Sequence, residues 1–320
     1  VTVGGAFQPQ TDYADARVRA QLTREVLALV DEFRDTPGVL MWLLGNENNY
    51  GLQWKSAATE NLPVGERERA KARYLYSLVG EVARAVKTRD TLRPVALANG
   101  EVQYLDLIAS EAKGLDVFGT NMYRGRSFGD AFRVVRETLG IPILFTEFGA
   151  DAYDARERRE DQTTQARYLL AQWQEIYEQT SGHGQAANAL GGLVFQWSDG
   201  WWKVGQETGL DVHDRQASWA NAAYPEDFVA GANNMNEEWW GVMAKGPTDA
   251  RGQFELYPRA AYYALQKALT LDPYAPGTDR AAIRAHFGAI DPTASALAAR
   301  GDRTSLLGDA LGAVRVSGLR

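Results

Sequence analysis

Short apolar runs alternate with longer amphipathic stretches along most of the chain. Between residues 15 and 35, Val18, Leu22, Val26, Val30 and Phe33 recur at helical spacing, with Thr11 or Asp12 upstream as candidate caps. Val39–Leu44 follows, six apolar residues without interruption, which reads as a buried strand. A second helical stripe carries Leu75, Leu78, Val79, Val82 and Val86. Pro94–Asn99, Leu115–Asn121, Ile141–Glu147 and Gly192–Trp197 read as further strands. A third helix holds Ala166, Leu169, Leu170, Trp173, Ile176 and Tyr177, and another near 258–269 opens on Pro258, a favoured first-turn residue.

Strands that are apolar throughout and alternate with helices predict an α/β fold, a parallel sheet covered by helices. Doubly wound sheets and (β/α)8 barrels both meet that description. Neither G-x-G-x-x-G after a strand nor GxxxxGK[ST] is present. Polar residues gather instead at strand C-termini: Asn46 and Glu47, Asn99, Asn121 with Tyr123, Glu147, and Gln196 with Trp197. Barrel enzymes place their chemistry there, so a TIM barrel is the expected fold. Five strands are clear and Val1–Val3 would be the tail of a sixth. The chain would then hold about strands 3 or 4 to 8, the first strands lying upstream of residue 1. Residues 1–270 are assigned to the barrel. The turn-rich DPYAPGTD that follows Leu271 opens a segment, 271–320, read as a linker and the start of a following segment or domain.

Composition narrows the chemistry. The 320 residues are 45% hydrophobic and 23% charged, ordinary for a globular protein. No apolar run approaches the roughly 18 residues of a membrane span. A net charge of −7 without a Lys/Arg cluster disfavours nucleic acid as a partner. With no cysteine, thiol catalysis, disulfides and Cys-ligated zinc are excluded. The three histidines, His183, His213 and His286, are far apart, so no metal site is expected, and no cofactor. Compartment and oligomeric state stay open. Nine tryptophans stand out, because an aromatic face in a polar loop near a strand end can stack on the apolar face of a sugar.

Glu47 and Glu147 each end an apolar strand, and the two strands are three apart. Acetal hydrolysis needs such a pair: one carboxylic acid protonates the leaving oxygen while the other carboxylate attacks the anomeric carbon or activates water. Carboxyls about 5–5.5 Å apart go with a covalent, retaining mechanism.

These residues also carry a family resemblance. LLGNEN resembles the fourth-strand Asn-Glu of clan A glycoside hydrolases, and ILFTEFG their seventh-strand nucleophile segment. NMYRG (Asn121–Gly125) is similar to their sixth-strand segment and FQWSDGWW to the eighth-strand Trp. Within the clan the chain is most similar, over about residues 1–270, to the barrel of family 2 glycosidases, the β-galactosidase, β-glucuronidase and β-mannosidase group. The resemblance implies Glu47 as acid/base and Glu147 as nucleophile. It implies that Asn46 bonds the 2-hydroxyl, that Tyr123 holds the Glu147 carboxylate, and that Trp197 floors the sugar site. Trp54, Trp201, Trp202 and Tyr50, in loops after the first and last clear strands, are candidates to line sugar subsites, and Asn99 and Asn121 to contact substrate. Asp151 and Asp199 are candidates to bind hydroxyls or to order loops, and Arg124 and Arg126 to favour an acidic sugar.

The expected function is that of a retaining β-glycosidase working by double displacement. Its partner would be a small glycoside, an oligosaccharide or a polysaccharide. Transglycosylation uses the same pair and remains open, as does a barrel that binds carbohydrate without turnover. Glycone, linkage and exo or endo action are not encoded in any motif.

Overall fold

The computed structural model describes residues 2–3, 6–7, 11–200 and 212–307. Two short strands, β1 (Thr2–Val3) and β2 (Ala6–Phe7), pair antiparallel with each other. Val1–Val3 was expected as the tail of a parallel strand, but Thr2 and Val3 lie in this separate hairpin, and Val1 is outside the described residues. Then come α1 (Ala16–Phe33), β3 (Trp42–Leu44), α2 (Ala57–Glu60), α3 (Val64–Arg89), β4 (Val95–Gly100), α4 (Leu105–Glu111) and β5 (Val117–Asn121). The chain continues through α5 (Ala131–Leu139), β6 (Ile143–Phe148), the hairpin β7 (Tyr153–Asp154) and β8 (Arg159–Glu160), α6 (Gln162–Glu178) and β9 (Ala189–Val194). A second hairpin, β10 (Met243–Thr248) and β11 (Phe254–Pro258), precedes α7 (Ala260–Ala268), α8 (Arg280–Gly288) and α9 (Pro292–Leu307).

The sheet that positions the site is parallel, with strand order β3-β4-β5-β6-β9. Each ladder joins a strand to its neighbour in the sheet's chain order. A doubly wound sheet reverses direction at a switch point, and among the described residues this one does not. β4 is buried along its whole length, as a parallel strand covered on both faces must be. Midway along β5 a Cβ on Gly119 would stand 2.2 Å from the Leu97 carbonyl, so only glycine lets β4 and β5 approach there. Leu43 of β3 and Leu190 and Leu193 of β9 line one apolar trough of about 590 Å³, together with Leu144 of β6.

Several boundaries differ from the sequence reading. α1 is capped by Asp15, whose Oδ1 accepts from the Arg17 and Val18 amides, rather than by Thr11 or Asp12. The first sheet strand starts at Trp42, because the Val39 carbonyl is taken by the Arg93 side chain at 2.9 Å instead of by a ladder. Pro258 ends β11, and α7 begins after Arg259. Residues 280–307 include the two helices α8 and α9. Ile283, Phe287 and Ile290 belong to the same hydrophobic cluster as the sheet, with Phe287 edge-on to Tyr177 at 5.4 Å. Among the described residues no helix is long and apolar enough to cross a membrane.

Candidate active site

The stretch Gly45-Asn-Glu-Asn-Asn-Tyr leaves the end of β3 through a tight turn. Glu47 has φ +50°, a left-handed conformation unusual for a residue with a Cβ. Its N–H donates to the Ala98 carbonyl at 2.9 Å, and its own carbonyl accepts from Tyr50 as a 3-10 turn, Asn48–Gly51, begins. The surrounding amides are fasteners. Asn48 Oδ1 accepts from the Asn46 amide at 3.0 Å while its Nδ2 donates to the Tyr13 hydroxyl. Asn49 is buried and exchanges two bonds with the Gly100 backbone, at 2.7 and 3.0 Å. The turn that carries Glu47 is thus tied to the end of β4.

Glu147 lies in β6, in register with Asn121 of β5. Its Oε2 accepts from the Tyr123 hydroxyl at 2.9 Å. Burial, then the charge of Glu147 and the bond to it, then Tyr224 and Glu47, push the Tyr123 phenol far above its ordinary value. Tyr123 is therefore a neutral donor to Glu147. A second thread crosses the strand ends: Thr146 donates to Asn121 Oδ1 at 2.6 Å, and Asn121 Nδ2 donates to Asn46 Oδ1 at 3.0 Å. Asn46 and Glu47, adjacent in sequence, are thereby connected to the strand that bears Glu147.

The other sequence candidates are placed differently. Asn121 is 2% exposed, and its amide oxygen and nitrogen both bond protein, so in this structure it orients Asn46 instead of reaching outward. Asn99 is also buried; it accepts from Tyr76 at 2.7 Å and donates to the Gly100, Glu101 and Gln103 carbonyls, closing the turn after β4. Trp54 is 1% exposed, edge-on to Tyr13 at 6.0 Å and under Lys71, so its indole is a core side chain here and offers no stacking face. Trp197 is 60% exposed and edge-on to Tyr262 of α7 at 6.1 Å. Trp201 and Trp202 lie outside the described residues. Arg124 grips Glu101 with Nε and Nη2, and Arg126 pairs with Glu226. Asp151 accepts from the Asn236 amide, and Asp199 from Arg259, so both order loops.

Trp240, from the paired tryptophans Trp239-Trp240, bears on the site, and so does Trp219, which the sequence did not mark. Trp240 meets the Tyr123 ring at 5.0 Å and 84°, and Trp219 is parallel to Trp240 within 6° at 6.4 Å. Asn221 Nδ2 donates to the Tyr123 carbonyl at 3.0 Å, which fastens this loop to the same tyrosine. The adjacent tryptophans Trp239-Trp240 were a visible signal; Trp219 sits in a loop with no periodicity to mark it.

The arrangement offers two carboxylates, a neutral phenol donor between their strands and an oriented carboxamide. Among the described residues no three His, Cys, Asp or Glu gather as metal ligands would.

No family model matches the chain, and no curated protein sequence does. Solved structures similar in chain trace include a GH2 β-galacturonidase from Eisenbergiella tayi bound to galacturonate, at 15% identity and TM-score 0.46, covering 82% of this chain and 38% of that one. Another is the β-D-glucuronidase of Dictyoglomus thermophilum, at 16% identity and TM-score 0.48, covering 82% and 37%. A third is an FMN-binding β-glucuronidase from Facaelibacterium prausnitzii L2-6, at 14% identity and TM-score 0.49, covering 81% and 33%. The chain spans less than two fifths of the length of each of these proteins. At that distance the likeness assigns no residue a role.

Proposed function

We propose that this chain carries the catalytic carboxylates of a retaining β-glycosidase built on a TIM barrel. The observations that carry the reading are the Tyr123–Glu147 bond and the Thr146–Asn121–Asn46 thread, which tie the turn bearing Glu47 to the strand bearing Glu147 at the C-terminal ends of one sequentially wound sheet. In a parallel barrel that end is where chemistry is done.

In the first step Glu147 attacks the anomeric carbon while Glu47 gives its proton to the departing oxygen, leaving a glycosyl-enzyme. Glu47, now a carboxylate, takes a proton from water as the water attacks the same carbon and releases Glu147. Tyr123 donates to Glu147 Oε2, which favours the ionised nucleophile and fixes its orientation. With the Asn46 oxygen committed to Asn121, its amide nitrogen is the donor for a sugar hydroxyl. Trp197, with most of its surface open, is the stacking candidate at the end of β9. No metal or organic cofactor enters these steps.

The test uses full-length protein and a panel of aryl β-glycosides. Glu147→Gln is expected to abolish turnover. Glu47→Ala should keep activity on good leaving groups and, with azide present, yield the β-glycosyl azide. Formation of the α-azide, or full activity in Glu147→Gln, would end the proposal.

A further inference from the structure

Tyr50 lies flat across Gly100 at the end of β4, so close that a Cβ on Gly100 would fall 2.3 Å from two ring carbons. One face of the ring is thus backed by protein, yet the residue is 47% exposed. Its position is fixed from both sides: its N–H donates to the Glu47 carbonyl, and neighbouring Asn49 clamps Gly100 itself. Burial, Glu47 and Glu101 together push its phenol up to about 12, so it is uncharged wherever the protein works. Glu101 is held in the fork of Arg124 at 3.0 and 2.5 Å, which balances the charge at this rim.

In the glycosidase reading Glu47 must reach the glycosidic oxygen, so the departing group lies on the side of Glu47. A rigid, backed aromatic face stands there. We propose that Tyr50 is the stacking surface for the ring of the leaving group, whether a pyranose or an aryl ring, and so sets preference for ring-bearing aglycones. The proposal rests on the glycosidase reading and adds to it a residue that chooses the leaving group.

The test compares full-length wild type, Tyr50→Phe and Tyr50→Ala on three glycosides sharing one glycone, with methyl, benzyl or pyranosyl leaving groups. All three depart as alcohols and need the same proton from Glu47; only two carry a ring. Tyr50→Ala should lower kcat/KM for a ring-bearing substrate about tenfold relative to the methyl glycoside, the scale of one aromatic contact. Tyr50→Phe keeps the face and should stay close to wild type. Loss confined to the benzyl or to the pyranosyl substrate identifies which ring is read. Equal loss on all three means the variant displaced Glu47, and that outcome overturns the stacking role. An unchanged ratio overturns it while leaving the glycosidase reading intact. If wild type turns over none of these, nor activated aryl glycosides, the glycosidase reading fails and takes the proposal with it.

Discussion

Tyr123 donates to Glu147 at 2.9 Å and cannot ionise at any working pH, so the bond is always supplied. A hydrogen bond to a charged group contributes roughly 1.5–3 kcal/mol. Tyr123→Phe keeps the ring between Phe195 and Trp240 and removes only that donor. We expect kcat/KM to fall by about ten- to a hundredfold, following that energy. The sign of the pH effect is also set: losing a donor to the carboxylate disfavours its charged form, so the acidic limb of kcat/KM should move to higher pH. A pH–rate profile checks this, and an unmoved limb would count against Tyr123 as the partner of an ionised nucleophile. The Tyr123–Glu147 bond is the one the resemblance of NMYRG and ILFTEFG implied, whereas nothing in the local sequence alone pairs those two side chains. The placing of Trp54 and Trp219 was not legible in the sequence, since burial of an indole is decided by residues distant in the chain: Tyr13 and Lys71 for one, Trp240 for the other.

Among the elements, β4, β5 and β6 were read to within two residues at each end, whereas β3 holds only three of the six residues expected, β9 lies at Ala189–Val194 instead of Gly192–Trp197, and helix ends were read poorly. A buried parallel strand declares itself by an unbroken apolar run, whereas a cap depends on which of several adjacent polar residues points back, and Asp15 won over Thr11 and Asp12. The Ala- and Gly-rich stretch after 280 gave little contrast between faces. Besides the packing of Ile283 and Phe287, α8 is held by an ion pair across the chain, with Arg280 and Arg284 both bonding Glu178 at the end of α6. Burial would raise the Glu178 pKa, but the bonds from Arg284, Arg280 and Gln174 outweigh it and hold it at about 2, below the ordinary 4.5. Because the folded value is the lower one, the stabilisation is present above pH 4.5 and is lost as pH falls toward 2. Thermal unfolding across that window should show a steeper acid loss in wild type than in Glu178→Gln. Parallel curves would mean that the pair contributes nothing to holding α8.

At the scale of the whole molecule, one buried cluster ties together segments that the sheet does not pair. Arg259, with a fully buried side chain, bonds Asp199 at 2.5 and 2.8 Å and Glu160 of β8 at 2.8 Å. Asp199 also meets His213 at 2.7 Å and accepts from the Gly241 and Lys245 amides. Arg259→Met would take the guanidinium from the Asp199 carboxylate and leave it with His213 and two amides, so the loss should stay below the roughly 3–5 kcal/mol of a buried charge left without compensation. Denaturant unfolding should register that loss, and Arg259→Met with Asp199→Asn together should recover part of it. The one-way winding of the sheet has a kinetic side as well. Each ladder joins strands that follow one another in the sheet's chain order, so assembly can proceed unit by unit. The Tyr123–Glu147 pair needs only β5 and β6 to dock. The turn that carries Glu47, bonded to the Ala98 carbonyl, is placed only once β3 and β4 have joined them. A partly assembled sheet thus already holds Glu147 with its hydrogen bond in place, ahead of the arrival of Glu47.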